Sequence, residues 1–447
     1  MSRLIVSLPP FIGTSGSDLV VGKEDNTLLP AIPAIGIEVL KNGVINTQAG
    51  NDTISGTGTG GYELRNYGPP AIGISNTHGY INGGDGNDLI KGTAAGGGSG
   101  KIDIPIGINN TQHSRIDGGF GNDTIFGTGV GGGQGDVIGI SNSQDSLIDG
   151  GFGNNTIFGT SVDNNWGLDA TGIFNSGGSH IKGGEGNNSI TGIGKGGNGI
   201  VSPFSANLSA GNGIGISNSQ GSVISGGQGN DILSGTGTGG EDSYIPSYPE
   251  YGTVGPGVGI GIVNSGMISL GDGNDTIIGT GISPSTGISP STGISPGTGI
   301  SPSTGIVNTN GIICEGAGSD ILTGYGTSVG IQGGTIDGGN GNDYFKARRI
   351  DAKGNPVSDQ GGAIADVLIK GGGGNDTFDV GYGNATIDGG SGWDKLILPD
   401  FKSDYIIAGT SNNYTVKRDQ FTLNVLNVEQ ITFLGVPPQQ NVLGIPH

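Results

Sequence analysis

Apolar residues recur along most of the chain at intervals close to nine, each flanked by glycine, asparagine or β-branched residues. In one unit they are Ile140, Ile148 and Ile157; in a later one they are Ile262, Ile268 and Ile277, with the middle position displaced. Short β-forming runs bounded by Gly or Asn predict three short strands per unit and almost no helix. The first strand has the form Gly-Ile-x-Asn, as in Gly139-Ile140-Ser141-Asn142 and Gly215-Ile216-Ser217-Asn218. The second ends in a Gly-Gly turn, and the third follows an aspartate, as in Thr124-Ile125-Phe126-Gly127. Stacking such units pairs strand on strand and buries ladders of isoleucine.

The turn between the second and third strands carries a repeated signature, Gly-Gly-x-Gly-Asn-Asp. It reads Gly83-Gly84-Asp85-Gly86-Asn87-Asp88, Gly118-Gly119-Phe120-Gly121-Asn122-Asp123, Gly226-Gly227-Gln228-Gly229-Asn230-Asp231 and Gly338-Gly339-Asn340-Gly341-Asn342-Asp343. Variants end at Asp52, Asp275, Asp320, Asp376 and Asp394, a degenerate copy ends at Asp18, and Asn155 and Asn188 replace the acid in two consecutive units. Successive sixth positions are 18 to 45 residues apart, and the typical unit is about 33 residues. Glycines let the backbone aim carbonyl oxygens at one point, and the Asp adds a charged oxygen, a set suited to a hard cation.

This turn resembles the nonapeptide repeat of the repeats-in-toxin (RTX, hemolysin-type) calcium-binding family. The resemblance implies an all-β fold, a right-handed parallel β-solenoid (β-roll or β-helix) with one calcium-binding turn per long rung and a small β C-terminal cap. It implies Ca2+ as the cofactor, held between adjacent turns by glycine-region carbonyls and sixth-position carboxylates. The ligand residues would be Asp52, Asp88, Asp123, Asp231, Asp275, Asp320, Asp343, Asp376 and Asp394, with Gly83, Gly84, Gly86, Gly118, Gly119, Gly121, Gly226, Gly227, Gly229, Gly338, Gly339 and Gly341. The Asn155/Asn188 neighbourhood would be the weakest site, because two carboxylate charges are missing there. The resemblance also implies export by type I secretion with an uncleaved C-terminal signal.

The expected organisation is an N-terminal cap with a degenerate repeat (1–34), a long-rung solenoid (35–346), a tandem nonapeptide β-roll (347–397) and a C-terminal β cap with the secretion region (398–447). About ten rungs at one strand spacing each give a length near 48 Å, about 4.8 Å per rung. Insertions leave from one corner and carry Tyr62, Tyr67, Trp166, Phe204, Tyr244, Tyr248 and Tyr251; residues 281–305 form a low-complexity Gly-Ile-Ser-Pro-Ser-Thr loop. Two polar columns follow from the alignment. Asn76, Asn110, Asn142, Asn175, Asn218, Asn264 and Asn308 close the first strand as a structural ladder, and Thr57, Thr93, Thr128, Thr160, Thr236 and Thr280 form an outward Thr ladder.

Composition narrows the function. Of 447 residues 100 are Gly, and 32% are hydrophobic, too few for an ordinary core, while the fixed register of Ile and Leu argues against disorder. The net charge of −20 opposes binding to nucleic acid or anionic membranes, and the repeated Asp residues should concentrate it along one self-repelling edge. No run approaches a membrane span, so no membrane insertion is expected. Met1-Ser2-Arg3-Leu4-Ile5-Val6 lacks a signal-peptide core, which predicts an extracellular or cell-surface protein without a cleaved N-terminal signal. The single Cys314 forms no intramolecular disulfide, and the four histidines lack metal-ligand spacing. Nucleophile-elbow, zincin and Walker motifs are absent, so the chain reads as no enzyme. The leading expectation is a secreted calcium-binding structural, surface or matrix protein with polysaccharide or cell-surface components as candidate partners. The alternatives are a carbohydrate-active enzyme using a solenoid face, which needs an acidic and basic cluster on one side, and an ice or crystal-surface binder, which needs an uninterrupted Thr column.

Overall fold

The three strands of each unit fall into three parallel ladders in a computed structural model that describes residues 2–26, 32–60, 70–96, 104–131, 135–163, 167–201, 209–244, 253–284, 303–410 and 412–435. In the first ladder Ala71–Thr77, Ile106–Thr111, Val137–Ser143 and Ala170–Asn175 align Ile74, Ile108, Ile140 and Ile173. In the second, Tyr80–Asp85, Arg115–Phe120, Leu147–Asp149 and His180–Glu185 align Ile81, Ile116, Ile148 and Ile181. In the third, Leu89–Ala95, Thr124–Val130, Thr156–Val162 and Ser189–Lys195 align Ile90, Ile125, Ile157 and Ile190. All these isoleucines are buried, as the nine-residue spacing predicts. The result is a right-handed parallel β-solenoid, and among the described residues the helical content is one 3-10 turn, Lys402–Asp404.

The displaced middle position is absorbed at a corner. Ile268 pairs with Ile224 in unbroken register, because the corner Ser265-Gly266 is shorter than its counterpart Ser219 to Ser222. The core is thin, which explains its low apolar content. A Cβ on Gly127 would strike the Gly139 carbonyl oxygen and Ile140, so at this corner the first and third walls meet backbone to backbone.

Among the described residues the third ladder has 13 strands, more than the expectation of about ten rungs. Both ends continue it: Leu19–Asp25 pairs with Thr53–Thr59 at the start, and Gln430–Phe433 pairs with Lys395–Leu398 at the finish. Twelve spacings give about 58 Å rather than 48 Å. The cap adds an antiparallel meander, Ile406–Thr410, Asn413–Arg418 and Phe421–Leu426, whose last strand pairs parallel with Tyr382–Ser391.

The Asn ladder forms as expected. Each Nδ2 donates to the Oδ1 of the next rung: 2.8 Å for Asn76 to Asn110, 2.9 Å for Asn110 to Asn142, Asn142 to Asn175, Asn175 to Asn218 and Asn218 to Asn264, and 2.8 Å for Asn264 to Asn308. Of the insertions, Ser243–Tyr244 pairs antiparallel with Thr253–Val254. Tyr62, Tyr67, Trp166, Phe204, Tyr248, Tyr251, residues 285–302 of the low-complexity loop and residues 436–447 lie outside the described residues.

Candidate metal centre

Every complete turn places two glycines in left-handed backbone conformation, as with Gly119 (φ 108°) and Gly121 (φ 127°). The same positions are filled by Gly84 and Gly86, Gly227 and Gly229, and Gly339 and Gly341. This conformation folds the sixth residue under the turn. Asp52, Asp88, Asp123, Asp231, Asp275, Asp320, Asp343, Asp376 and Asp394 are each no more than 4% exposed. The expected acidic edge is therefore an interior column. The cause is a hydrogen-bond chain that draws each carboxylate inward.

Along that chain the backbone N–H of one sixth residue donates to Oδ1 of the next. The distances are 2.7 Å for Asp52 to Asp88, 2.8 Å for Asp88 to Asp123, and 2.7 and 2.6 Å for Asp231 to Asp275 and Asp275 to Asp320. The chain continues through Asp343 and Asp376 to Asp394, whose N–H donates to Glu429 Oε2 at 2.6 Å. Glu429 thus stands where a further Asp would be. At the other end Asp18 is satisfied locally, accepting from the Thr14 N–H at 2.6 Å.

One oxygen per turn remains. Oδ2 of all nine expected aspartates is buried without a hydrogen-bond partner. It lies above the first glycine of its own turn: a Cβ on Gly83, Gly118, Gly226 or Gly338 would collide with Oδ2 of Asp88, Asp123, Asp231 or Asp343. The same space borders a carbonyl oxygen of the next rung, that of Gly118 at Gly83 and of Gly150 at Gly118. The missing side chain leaves a cradle lined by a carboxylate oxygen and a carbonyl oxygen. Two acceptors facing one space, with no donor, fit a hard cation. Among the described residues no three His, Cys, Asp or Glu side chains gather at a metal distance, so backbone carbonyls would have to supply most of the oxygens around a cation at these turns.

The two Asn turns resolve the same problem without a cation. Asn155 Nδ2 donates to the carbonyls of Gly153 and Gly183 at 3.2 and 3.3 Å, and Asn188 Nδ2 donates to Gly184 and Gly186 at 3.3 and 2.8 Å. Their Oδ1 atoms keep the column intact, accepting from Asp123 at 2.8 Å and Asn155 at 2.9 Å.

Electrostatics agrees. Burial, opposed by the backbone hydrogen bond each Oδ1 accepts, raises Asp88, Asp231, Asp275, Asp320 and Asp343 to about 6, and Asp123 and Asp376 to about 7. Neighbouring carboxylates push in the same direction as burial, as Asp88 does on Asp123.

Sequence reasoning missed three features. The fifth residue forms a second, exposed ladder of opposite sense: the Asn122 N–H donates to Asn87 Oδ1 at 2.7 Å, and that of Asn154 to Asn122 at 2.7 Å. The recurrence of Asn before Asp was its signal. In the Asp52 turn Thr47 holds the first-glycine position and donates to the Gly83 carbonyl at 2.6 Å. Leu270 and Glu315 hold that position in the turns of Asp275 and Asp320, and both are fully buried.

A separate groove of about 480 Å³ crosses four rungs on the second ladder. Gly84, Gly119, Gly151 and Gly184 form its floor. One wall carries Tyr80, Arg115, Asp117, Asp149 and Lys182, and the other carries Phe120 and Phe152, stacked at 4.6 Å between Asp85 and Glu185. Arg115 pairs with Asp117 at 2.7 Å, and the Tyr80 hydroxyl donates to Asp117 at 3.2 Å. The Thr column is interrupted: Thr160 pairs with Ile193 before the ladder resumes at Thr236, and Thr280 pairs with Tyr325.

The family model of the RTX calcium-binding nonapeptide repeat matches residues 78–95, 110–129, 140–164, 175–192, 217–242, 335–347 and 370–398. These segments hold the turns of Asp88, Asp123, Asn155, Asn188, Asp231, Asp343, Asp376 and Asp394. They leave out those of Asp52, Asp275 and Asp320, in which Thr47, Leu270 and Glu315 replace the first glycine. No curated protein matches the chain. No helix among the described residues is long and apolar enough to cross a membrane. The parallel solenoid, nine of whose turns present a buried, unpartnered carboxylate oxygen, thus carries RTX calcium-binding nonapeptide repeats between residues 78 and 398.

Proposed function

We propose that this chain is a secreted structural component, of a cell surface or extracellular matrix, in which Ca2+ binding at the turn column is coupled to folding. The observation that carries the reading is the row of nine buried Oδ2 atoms without a donor. Such a row opposes folding until a cation neutralises it, and whatever binds only the folded state stabilises it. A single carboxylate in most of the Asp turns makes those sites weak, and low-charge sites with affinities near millimolar suit extracellular calcium. That argument supports a location outside the cell, and it is compatible with type I secretion. The ligands in this reading are the nine aspartates and the turn carbonyls, with the first-glycine cradle in the six turns of Asp88, Asp123, Asp231, Asp343, Asp376 and Asp394. The long parallel ladders, built from repeated rungs, suit a scaffold. The test is circular dichroism and thermal melting in calcium and in chelator. Calcium should convert an expanded chain to one rich in β signal, and identical spectra and melting in both would refute the coupling.

The groove supports a second reading, contact with polysaccharide. Its exposed Phe120–Phe152 platform, 57% and 46% exposed, faces acidic and basic groups across a glycine floor, the arrangement a sugar chain needs for stacking and hydrogen bonding. It is also the mixed-charge cluster that a carbohydrate-active enzyme would require. Glycan-array binding by the wild type, lost in Phe120→Ala with Phe152→Ala, would support it; turnover of a bound glycan would move the reading to the enzyme.

A further inference from the structure

We propose that Glu315 converts the Asp320 turn into the tightest calcium site of the column by supplying a second carboxylate inside the cradle. The inference rests on the calcium reading above and concerns one turn within it.

Glu315 is fully buried, and neither Oε1 nor Oε2 has a hydrogen-bond partner. Strand register explains where it lies. Cys314 pairs with Ser269 and Asp337, and Gly316 pairs with Gly271 and Gly339, so Glu315 stands between Leu270 and Gly338 in the column of first glycines. In the six Asp turns that keep a first glycine this position is the cradle, and an added Cβ there meets the Oδ2 of the same turn. In the Asp320 turn the cradle therefore holds a carboxylate of its own, beside an Asp320 Oδ2 that is likewise unpartnered. The charged groups acting on Glu315 are Asp320, Asp343 and Asp275, all acidic.

An isolated buried acid with no donor is among the costliest core residues. The chain holds its own control one rung away, where Leu270 fills the same position with apolar atoms and is also fully buried. A leucine therefore fits, and a glutamate gains nothing in packing that leucine lacks. What the glutamate adds is oxygen and charge. Calcium affinity climbs with ligand charge, so two carboxylates in one turn outrank the single carboxylate of the Asp88 or Asp343 turn. By the same logic the Asp275 turn, its cradle filled by Leu270, is the poorest of the Asp-bearing sites.

The experiment is a calcium titration of the full chain by isothermal calorimetry, with stoichiometry by elemental analysis, for the wild type, Glu315→Gln and Glu315→Leu. Melting of each in calcium and in chelator accompanies it. The wild type should show one site at least about tenfold tighter than the remainder, and both variants should lose that site alone. Both should melt higher than wild type in chelator, because an unpaired buried acid is gone, and lower in calcium. Should Glu315→Leu fail to fold, the isosteric Glu315→Gln still decides. Unchanged calcium affinity and stoichiometry in the variants, with the same rise in melting in both media, would overturn the inference and make Glu315 a protonated core acid. Absence of calcium binding by the wild type would instead overturn the calcium reading itself, and this inference with it.

Discussion

Replacing a calcium-binding aspartate by asparagine ordinarily weakens a calcium protein, but here Asp123→Asn should stabilise the chain whenever calcium is absent. Asp123 Oδ1 accepts the Asp88 N–H at 2.8 Å, and an Asn Oδ1 keeps that bond, as Asn155 does for Asp123 at 2.8 Å. The change falls on Oδ2, which has no partner. An Asn Nδ2 there can donate to turn carbonyls, as Asn155 does to Gly153 and Gly183. Burial raises Asp123 from 3.8 to about 7. Roughly three pK units correspond to ~4 kcal/mol against the ionised form, which sets an upper limit on the gain. An increase of about 2–4 kcal/mol near neutral pH, seen as a melting temperature several degrees higher in chelator, is expected. In saturating calcium the same variant should bind one ion fewer and lose its advantage. Scanning calorimetry in the two media reads both effects, with the exposed Asp145→Asn as control. A lower melting temperature than wild type in chelator would show that Asp123 Oδ2 is satisfied within the protein, and the argument for the column would fall.

Three further outcomes follow from the same geometry. Because the folded carboxylates have pKa values of about 6 to 7, above the unfolded 3.8, proton binding stabilises the calcium-free fold fully below pH about 4 and progressively less up to pH about 7; melting against pH in chelator should decline across that window, and calcium should flatten the decline. Restoring acid in both Asn turns, Asn155→Asp with Asn188→Asp, should add at least one bound calcium by calorimetry and lower the melting temperature in chelator. Asn142→Ala breaks the interior ladder, leaving Asn110 Nδ2 and Asn175 Oδ1 without their 2.9 Å partners, and should cost about 3 kcal/mol in denaturant unfolding.

The ladders were legible in the sequence because each rung repeats the same side chain at the same distance from its turn. Ile140 over Ile108, and Asn142 over Asn110, need only stacking to become contacts. Irregular spacing, as before Ile268, hid nothing, since a corner can shorten without shifting a strand. The ends were underestimated because Leu19–Asp25 and Gln430–Phe433 lack the complete turn and join the solenoid by backbone pairing alone. The burial of the aspartates was not legible. A polar residue after a turn ordinarily faces water, and only the backbone N–H donated from the adjacent rung draws it inward. Glu315 was hidden for a related reason: beside Cys314 it reads as one more tolerated change in a degenerate turn, and its isolation depends on neighbours 45 and 23 residues away, Leu270 and Gly338.

The ladders also bear on how such a molecule changes length over generations. In the interior Asn ladder each rung gives one hydrogen bond to the rung after it and takes one from the rung before; in the Asp column the backbone gives and the side chain takes. A duplicated rung spliced between two others therefore arrives with a matching donor and acceptor in every ladder and leaves no bond open on either side. Only the ends are unique: Asn76 Oδ1 takes no bond, and Glu429 closes the Asp column. Insertion of whole units anywhere between them is close to neutral for hydrogen bonding, while loss of part of a unit breaks several ladders at once. The gene can thus grow or shrink in steps of a full turn, with selection acting on reach and on ion capacity rather than on repair of the fold.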